Sequence, residues 1–291
     1  LKLFSCDHNN IPLPAGHKFP FAKYRLLRER LQADGRFLIE RPEPASREQI
    51  CLAHDPEYVD AFLAGQLNVQ AIRRIGFPWS EGLVGRTLCS VGATLAATRT
   101  ALQDGCAGAL AGGTHHASYG EGSGFCVFND IAVAIRSYGK RAAVIDLDVH
   151  QGDGTAAIFS GDPSVFTLSL HGQNNFPFRK QLSTLDIAFP DKTSDANYLQ
   201  ALEQALPRVI EFGPEILFYQ AGVDGLATDK LGLLSLSPMG LVQRDRMVFH
   251  MAKQIRIPIV IVLGGGYSEP IDFTVDAHAS TFLTARMTFL S

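Results

Sequence analysis

The chain has 291 residues, a formal net charge of −3 and 46% hydrophobic residues. That suffices for a sizeable core in one large domain or two small ones, and it argues against a dedicated nucleic-acid surface. No run of about 18 or more apolar residues occurs, so no membrane-spanning helix is expected; the opening LKLFSCDHNN lacks the apolar core of a signal peptide, and a cytoplasmic protein is expected.

Before residue 80 the pattern is irregular, with candidate helices at 21–33, 46–52 and 56–64. A helical pattern at 81–103 then leads to the apolar run AGALAGG (107–113). Helical 128–138 precedes RAAVIDLDVH (141–150), and 153–160 precedes SVFTLSLH (164–171). Helical 196–212 precedes PEILFYQAGVD (214–224), and 238–254 precedes IPIVIVLGGGY (257–267). Fully apolar strands alternating with amphipathic helices predict a single-domain α/β fold with a mainly parallel sheet covered on both faces. The five cysteines are scattered without a CxxC pair. They read as reduced thiols, each a small core residue.

His115 and His116, Asp148 and His150, His171, Asp224 and Tyr267 all fall at the downstream ends of strand runs. Ligands of open α/β sheets bind outside the carboxyl ends of the strands. In VIDLDVHQGDG (144–154), strand alternation predicts Asp146, Asp148 and His150 on one face. Three ionisable groups there are costly to bury unless a cation compensates them. Asp148 and His150 are the candidate metal ligands, with Asp224 as the third. Two carboxylates and a neutral imidazole suit Zn²⁺, and iron(II) fits the same donors. The alternative is a structural salt-bridge cluster. In GGTHHA, neighbouring histidines on a strand would point to opposite faces, so Gly112–Gly113 are expected to turn the chain and aim both rings at one place.

These motifs occur together as GGTHHA (112–117), GFCVFND (124–130), DLDVHQGDG (146–154), SLH (169–171), AGVD (221–224) and LGGGY (263–267). In that order they resemble the histone deacetylase superfamily, of arginase-like fold. IPLPAGHKFPFAKY (11–24) and GFPWSE (76–81) are similar to its compact bacterial branch, related to the class IV deacetylases. The resemblance implies a zinc-dependent amidohydrolase occupying 1–291 as one deacetylase domain. Asp148, His150 and Asp224 would hold one zinc ion. His116 would be the general base and acid, backed by Asp153. His115, backed by Asp146, would be its electrostatic partner, and Tyr267 would polarise the acyl carbonyl. Gly124, Phe125 and Phe176 would line the acyl-lysine tunnel, with Leu231 or Leu233 at its rim. A structural K⁺ would sit at Asp146, Asp148, His150, Ser169 and Leu170, and a second at Phe159, Asp162 and Val165. Lys18 would fall near a basic residue of an acetate-exit channel. Gln151 stands where many members carry a second His. The rim Asp that grips substrate has no clear counterpart, Glu81 and Asp104 being the carboxylates available.

The expected substrate is an acylated lysine in a protein or peptide, with small acylated amines such as acetylpolyamines as the alternative. A binuclear manganese hydrolase would need further metal-binding carboxylates beside these motifs. A non-catalytic acyl-lysine binder would need a lost ligand or a lost Tyr267, and every expected position is filled.

Overall fold

A computed structural model describes residues 1–290 except residues 10, 12 and 15. Its centre is one eight-stranded sheet in the order β2-β1-β3-β8-β7-β4-β5-β6. The strands are β1 (Lys2–Phe4), β2 (Leu38–Glu40), β3 (Cys106–Ala109), β4 (Ala142–Asp146), β5 (Val165–Gly172), β6 (Leu185–Phe189), β7 (Ile216–Gln220) and β8 (Ile259–Val262). Every pairing is parallel. The expected α/β class with a covered parallel sheet is what the chain forms.

Strand alternation divides the core in two. Ala143 and Ile145 of β4, Leu217 and Tyr219 of β7, and Ile259 and Ile261 of β8 face one helical layer. That layer contains α1 (Ala22–Asp34), α8 (Asp195–Phe212), α9 (Pro238–Gln254) and α10 (Asp272–Phe289). Val144, Phe218, Val260 and Val262 face the opposite layer. There lie α2 (Arg47–Ile50), α3 (Pro56–Leu63), α5 (Glu81–Asp104) and α6 (Asp130–Tyr138). Two short helices, α4 (Val69–Ile75) and α7 (Asp153–Ile158), flank the site. A strand with both faces buried has no polar face, which is why these runs read as wholly apolar.

Except for SVFTLSLH (164–171), matched by β5, the apolar runs are longer than the strands they contain. The run 141–150 holds a strand only to Asp146, and 257–267 only to Val262. The remainder in each case is irregular backbone at the carboxyl edge. The three-residue strands β1 and β2, and β6 and α4, lie outside the predicted elements. So does α10, whose buried face is rich in Ala and Thr and shows little contrast with its exposed face. No helix among the described residues is long and apolar enough to cross a membrane.

Candidate active site

The expectation that Asp146, Asp148 and His150 share one strand face needs correction. β4 ends at Asp146, and the backbone then turns. Carboxylates hold that turn: Asp148 N–H donates to Asp146 Oδ1 (3.1 Å), Val149 N–H to Asp224 Oδ1 (2.9 Å) and His150 N–H to Asp148 Oδ1 (2.9 Å). The convergence survives by another route. Asp148, His150 and Asp224, all buried, present ligand atoms within 4.8 Å of one another. His150 Nδ1 lies 3.0 Å from both Asp148 Oδ1 and Asp224 Oδ2. Burial alone would depress the His150 imidazole, yet its hydrogen bonds to Asp148 and Asp224 outweigh burial and push it up to about 10. Burial and the charge of Asp148 raise the Asp224 carboxyl. Two buried carboxylates meeting at one nitrogen call for a cation, and the donor set fits a divalent metal. Gly265 lets the opposite loop close on them. Its N–H donates to Asp148 Oδ2 at 2.6 Å, and a Cβ there would lie 1.8 Å from Asp224 Oδ2.

The histidine pair follows β3. Gly112 and Gly113 both have positive φ (78° and 74°), conformations that glycine adopts without strain. They swing the chain so that the His115 and His116 ring centroids lie 4.1 Å apart. Nδ1 of His115 is 2.7 Å from Asp146 Oδ2, and Nδ1 of His116 is 2.6 Å from Asp153 Oδ1. A carboxylate at Nδ1 fixes the tautomer and orients the ring. The two imidazoles diverge electrostatically. Burial disfavours charge on His115, but Asp146 and Asp148 overcome it and raise the ring to about 9. Burial and the neighbouring His115 depress His116 to about 4. The surroundings thus favour the charged form of His115 and the neutral form of His116.

His115, His116, Asp148 and His150 line a cavity of about 450 Å³, together with Tyr267, Gly124, Phe125, Phe176 and Leu231. Phe176 packs edge-on against His116 with centroids 4.8 Å apart, and Phe125 lies 6.4 Å from the Tyr267 ring. Burial holds the Tyr267 phenol far above its usual range, so it remains a proton donor. Tyr267 follows Gly264–Gly266 rather than ending a strand.

The sequence model of the histone deacetylase domain matches residues 17–281. The chain belongs to the histone deacetylase family. An uncharacterized protein of Picosynechococcus sp. is 44% identical over 284 residues, covering 94% of this chain and 95% of that one. Histone deacetylase 2 of Arabidopsis thaliana is 32% identical over 275 residues, covering 87% and 70%. In fold, the chain is similar to the crystal structure of an acetylpolyamine aminohydrolase from Burkholderia pseudomallei, with TM-score 0.81, 21% identity and 98% of each chain covered.

Within this family fold, several residues to which the sequence reading gave no role support the site. Asp229 is an isolated acid in LATDKLG, with no motif around it. Its Oδ1 accepts the Leu231 and Gly232 N–H groups (both 2.9 Å), and its Oδ2 accepts Tyr267 N–H (2.6 Å). Asp130 similarly accepts from Gly113 N (3.1 Å) and Thr114 N (2.8 Å), behind the histidine turn. Lys18 is exposed; the buried cation is Lys23, whose Nζ donates to Gly264 O at 3.2 Å. Lys23 was hidden inside the polar-looking helix AKYRLLRER. Arg244, wholly buried, donates to Gly222 O at 2.6 Å. A smaller cavity of about 50 Å³ adjoins the first and is lined by Arg86, Ser90 and Thr114.

Other candidates lie elsewhere. His171 turns from the cavity, with Nδ1 3.0 Å from Ser169 Oγ. Leu231 lines the cavity and Leu233 does not. Glu81 and Asp104 are at opposite ends of α5 and neither lines the cavity. Gln151 is structural, bonded to Gln181 O and Asp186 Oδ1 (both 2.8 Å). Of the positions expected to hold K⁺, Asp146 pairs in register with Ser169 across β4 and β5, and Leu170 follows in β5, whereas Asp148 and His150 lie in the turn beyond β4. At the second expected K⁺ position, Asp162 N–H donates to Phe159 O (3.0 Å) and Val165 N–H to Asp162 O (3.3 Å).

Proposed function

We propose that the protein is a cytoplasmic zinc-dependent hydrolase that removes acetyl or other acyl groups from lysine side chains of proteins or peptides, with residues 1–291 forming one catalytic domain. The observation that carries this reading is the Asp148–His150–Asp224 cluster, whose Asp148 and His150 line an aromatic-walled cavity. Zn²⁺ would be held by those three side chains, whose charges balance it, and would supply an activated water and a polarised acyl carbonyl.

The remaining chemistry belongs to side chains. His116 is neutral, with Nδ1 occupied by Asp153, so its Nε2 accepts the proton of the attacking water. It then returns a proton to the lysine amine, a poor leaving group when unprotonated. His115, kept positive by Asp146, stabilises the negative charge that develops beside it. Tyr267 donates its phenolic proton in a hydrogen bond to the acyl oxygen. Gly124, Phe125, Phe176 and Leu231 enclose the lysine stem and exclude water from it. K⁺ at Asp146, Asp148, His150, Ser169 and Leu170 would brace the turn after β4. Neither nucleic acid nor a membrane is a partner in this reading. The second reading, hydrolysis of small acetylated amines, draws on the polyamine substrate named for a protein of the same fold.

The test is a panel of acetyl-lysine peptides, longer acyl-lysine peptides and acetylpolyamines, assayed with the purified zinc-loaded protein. Release of acetate or the longer carboxylate, with an unmodified lysine side chain left in the peptide, supports the proposal. Turnover of acetylpolyamines alone selects the second reading, and turnover of nothing overturns both.

A further inference from the structure

The mouth of the cavity carries charge that the chemistry at its floor does not use. Among the described residues lining the cavity, Arg73 and Arg74 are the cations other than the histidines, and the buried Asp148 is the lone carboxylate. Both arginines belong to the last turn of α4, which Gly76 ends in a left-handed conformation. The helix is tied to the tunnel wall. Gly124 N–H donates to Arg74 O at 3.1 Å, and Phe125 N–H donates to Ile75 O at 2.8 Å. His17 Nε2 lies 2.9 Å from Gly76 O on the far side. The arginine backbone is therefore fixed relative to the tunnel, even though both side chains reach solvent.

Around this mouth, Arg74 pairs with Glu121, and Lys230 pairs with Glu269 at 3.5 Å. Arg73 has no carboxylate partner among the described residues. Arg73 is thus the unpaired cation among the described residues that line the cavity. The pairs cancel, and an excess of positive charge remains where the segments flanking a bound lysine must pass.

We propose that this cationic mouth selects acyl-lysine flanked by acidic residues and disfavours polycationic acetylated amines. The inference rests on the acyl-lysine reading above and adds the charge of the substrate's surroundings. A free amine with several ammonium groups brings like charges to Arg73. A peptide with Asp or Glu beside the acyl-lysine gives Arg73 a partner.

The zinc-loaded full chain is assayed at about 50 mM salt on matched acetyl-lysine peptides with Glu, Gln or Arg on both sides, and on acetylspermidine. An exposed ion pair changes kcat/KM by up to about fivefold. The expected order is Glu above Gln above Arg, with acetylspermidine below the Gln peptide. The Glu-to-Arg ratio shrinks toward one at about 1 M salt, where charges are screened beyond roughly 3 Å. Arg73→Glu lowers or inverts that ratio, and Arg73→Gln gives an intermediate ratio; comparing substrates within each variant removes any change in folding or overall rate. Equal kcat/KM for the three peptides, or acetylspermidine preferred to the Gln peptide, overturns the charge selection and leaves acyl hydrolysis standing. No turnover of the Gln peptide by the unmutated protein overturns the acyl-lysine reading itself, and this proposal with it.

Discussion

Replacing Asp229 by Asn probes how the tunnel rim and the site tyrosine are held together. The Asp229 carboxylate accepts Leu231 and Gly232 N–H through one oxygen and Tyr267 N–H through the other. Asn retains one acceptor, which can keep the two rim contacts. Its amide NH₂ then faces Tyr267 N–H, donor against donor, and Tyr267 loses its anchor. A hydrogen bond to a charged group is worth about 1.5–3 kcal/mol. If that loss appears as misplacement of the phenol, kcat falls about 10- to 100-fold, at roughly 1.4 kcal/mol per factor of ten. The ceiling is the about 2.7–4 kcal/mol seen when an oxyanion donor is removed outright. KM should change little, because the Leu231 side of the anchor persists. The assay is kcat on an acetyl-lysine peptide for the unmutated protein, Asp229→Asn, Tyr267→Phe and the double variant, each with metal content measured. In the Tyr267→Phe background there is no phenol left to misplace, so Asp229→Asn should then cost less than about threefold. An undiminished loss in that background refutes positioning of the phenol; no loss in either background refutes the anchor.

Tyr267→Phe alone should keep the fold and the metal while lowering kcat about 10²–10³-fold; an unchanged kcat removes the phenol from the reaction. His116→Ala should cost about 10²–10⁴ in rate, and His115→Ala should cost less on an activated trifluoroacetyl-lysine substrate than on acetyl-lysine. A larger loss for His115→Ala on both substrates at equal metal content reverses the two roles. Elemental analysis after dialysis should give about one divalent metal per chain, as the one Asp–His–Asp set among the described residues requires, and two tightly held manganese ions would sink the zinc reading. Stability should also depend on His54, remote from the metal cluster, whose unprotonated Nε2 accepts Asn129 N–H at 2.8 Å. Burial depresses its imidazole from 6.5 to about 4. The unfolded chain therefore binds this proton first as pH falls. The stability it contributes is present above pH ~6.5 and is lost toward pH ~4, by up to about 3 kcal/mol. His54→Gln should flatten that part of the pH–stability curve, and an unchanged slope in chemical denaturation would assign the loss to other groups.

The parallel sheet was legible in the sequence because a strand buried on both faces must be apolar throughout. The residues of the candidate site were legible too. Asp148, His150 and Asp224, like the paired His115 and His116, are ionisable groups placed where apolar strands stop, and their cost of burial marks them. The length of the strands was not legible. VIDLDVH is equally compatible with a strand through His150 and with one that ends at Asp146. The choice falls to Asp146, Asp148 and Asp224, which accept the backbone N–H groups of the turn and so replace the ladder. Lys23, Asp229 and Arg244 were hidden for the same reason. Their partners are backbone groups on loops far away in sequence, such as Gly264 O, Tyr267 N–H and Gly222 O. A local pattern records which side chains are apolar. It does not record which distant carbonyl or amide a buried charge will meet, because packing alone brings the two together. The arginine-bearing mouth is also a tertiary product. Nothing within VQAIRRIG points to a tunnel until Arg74 O and Ile75 O accept the amides of Gly124 and Phe125.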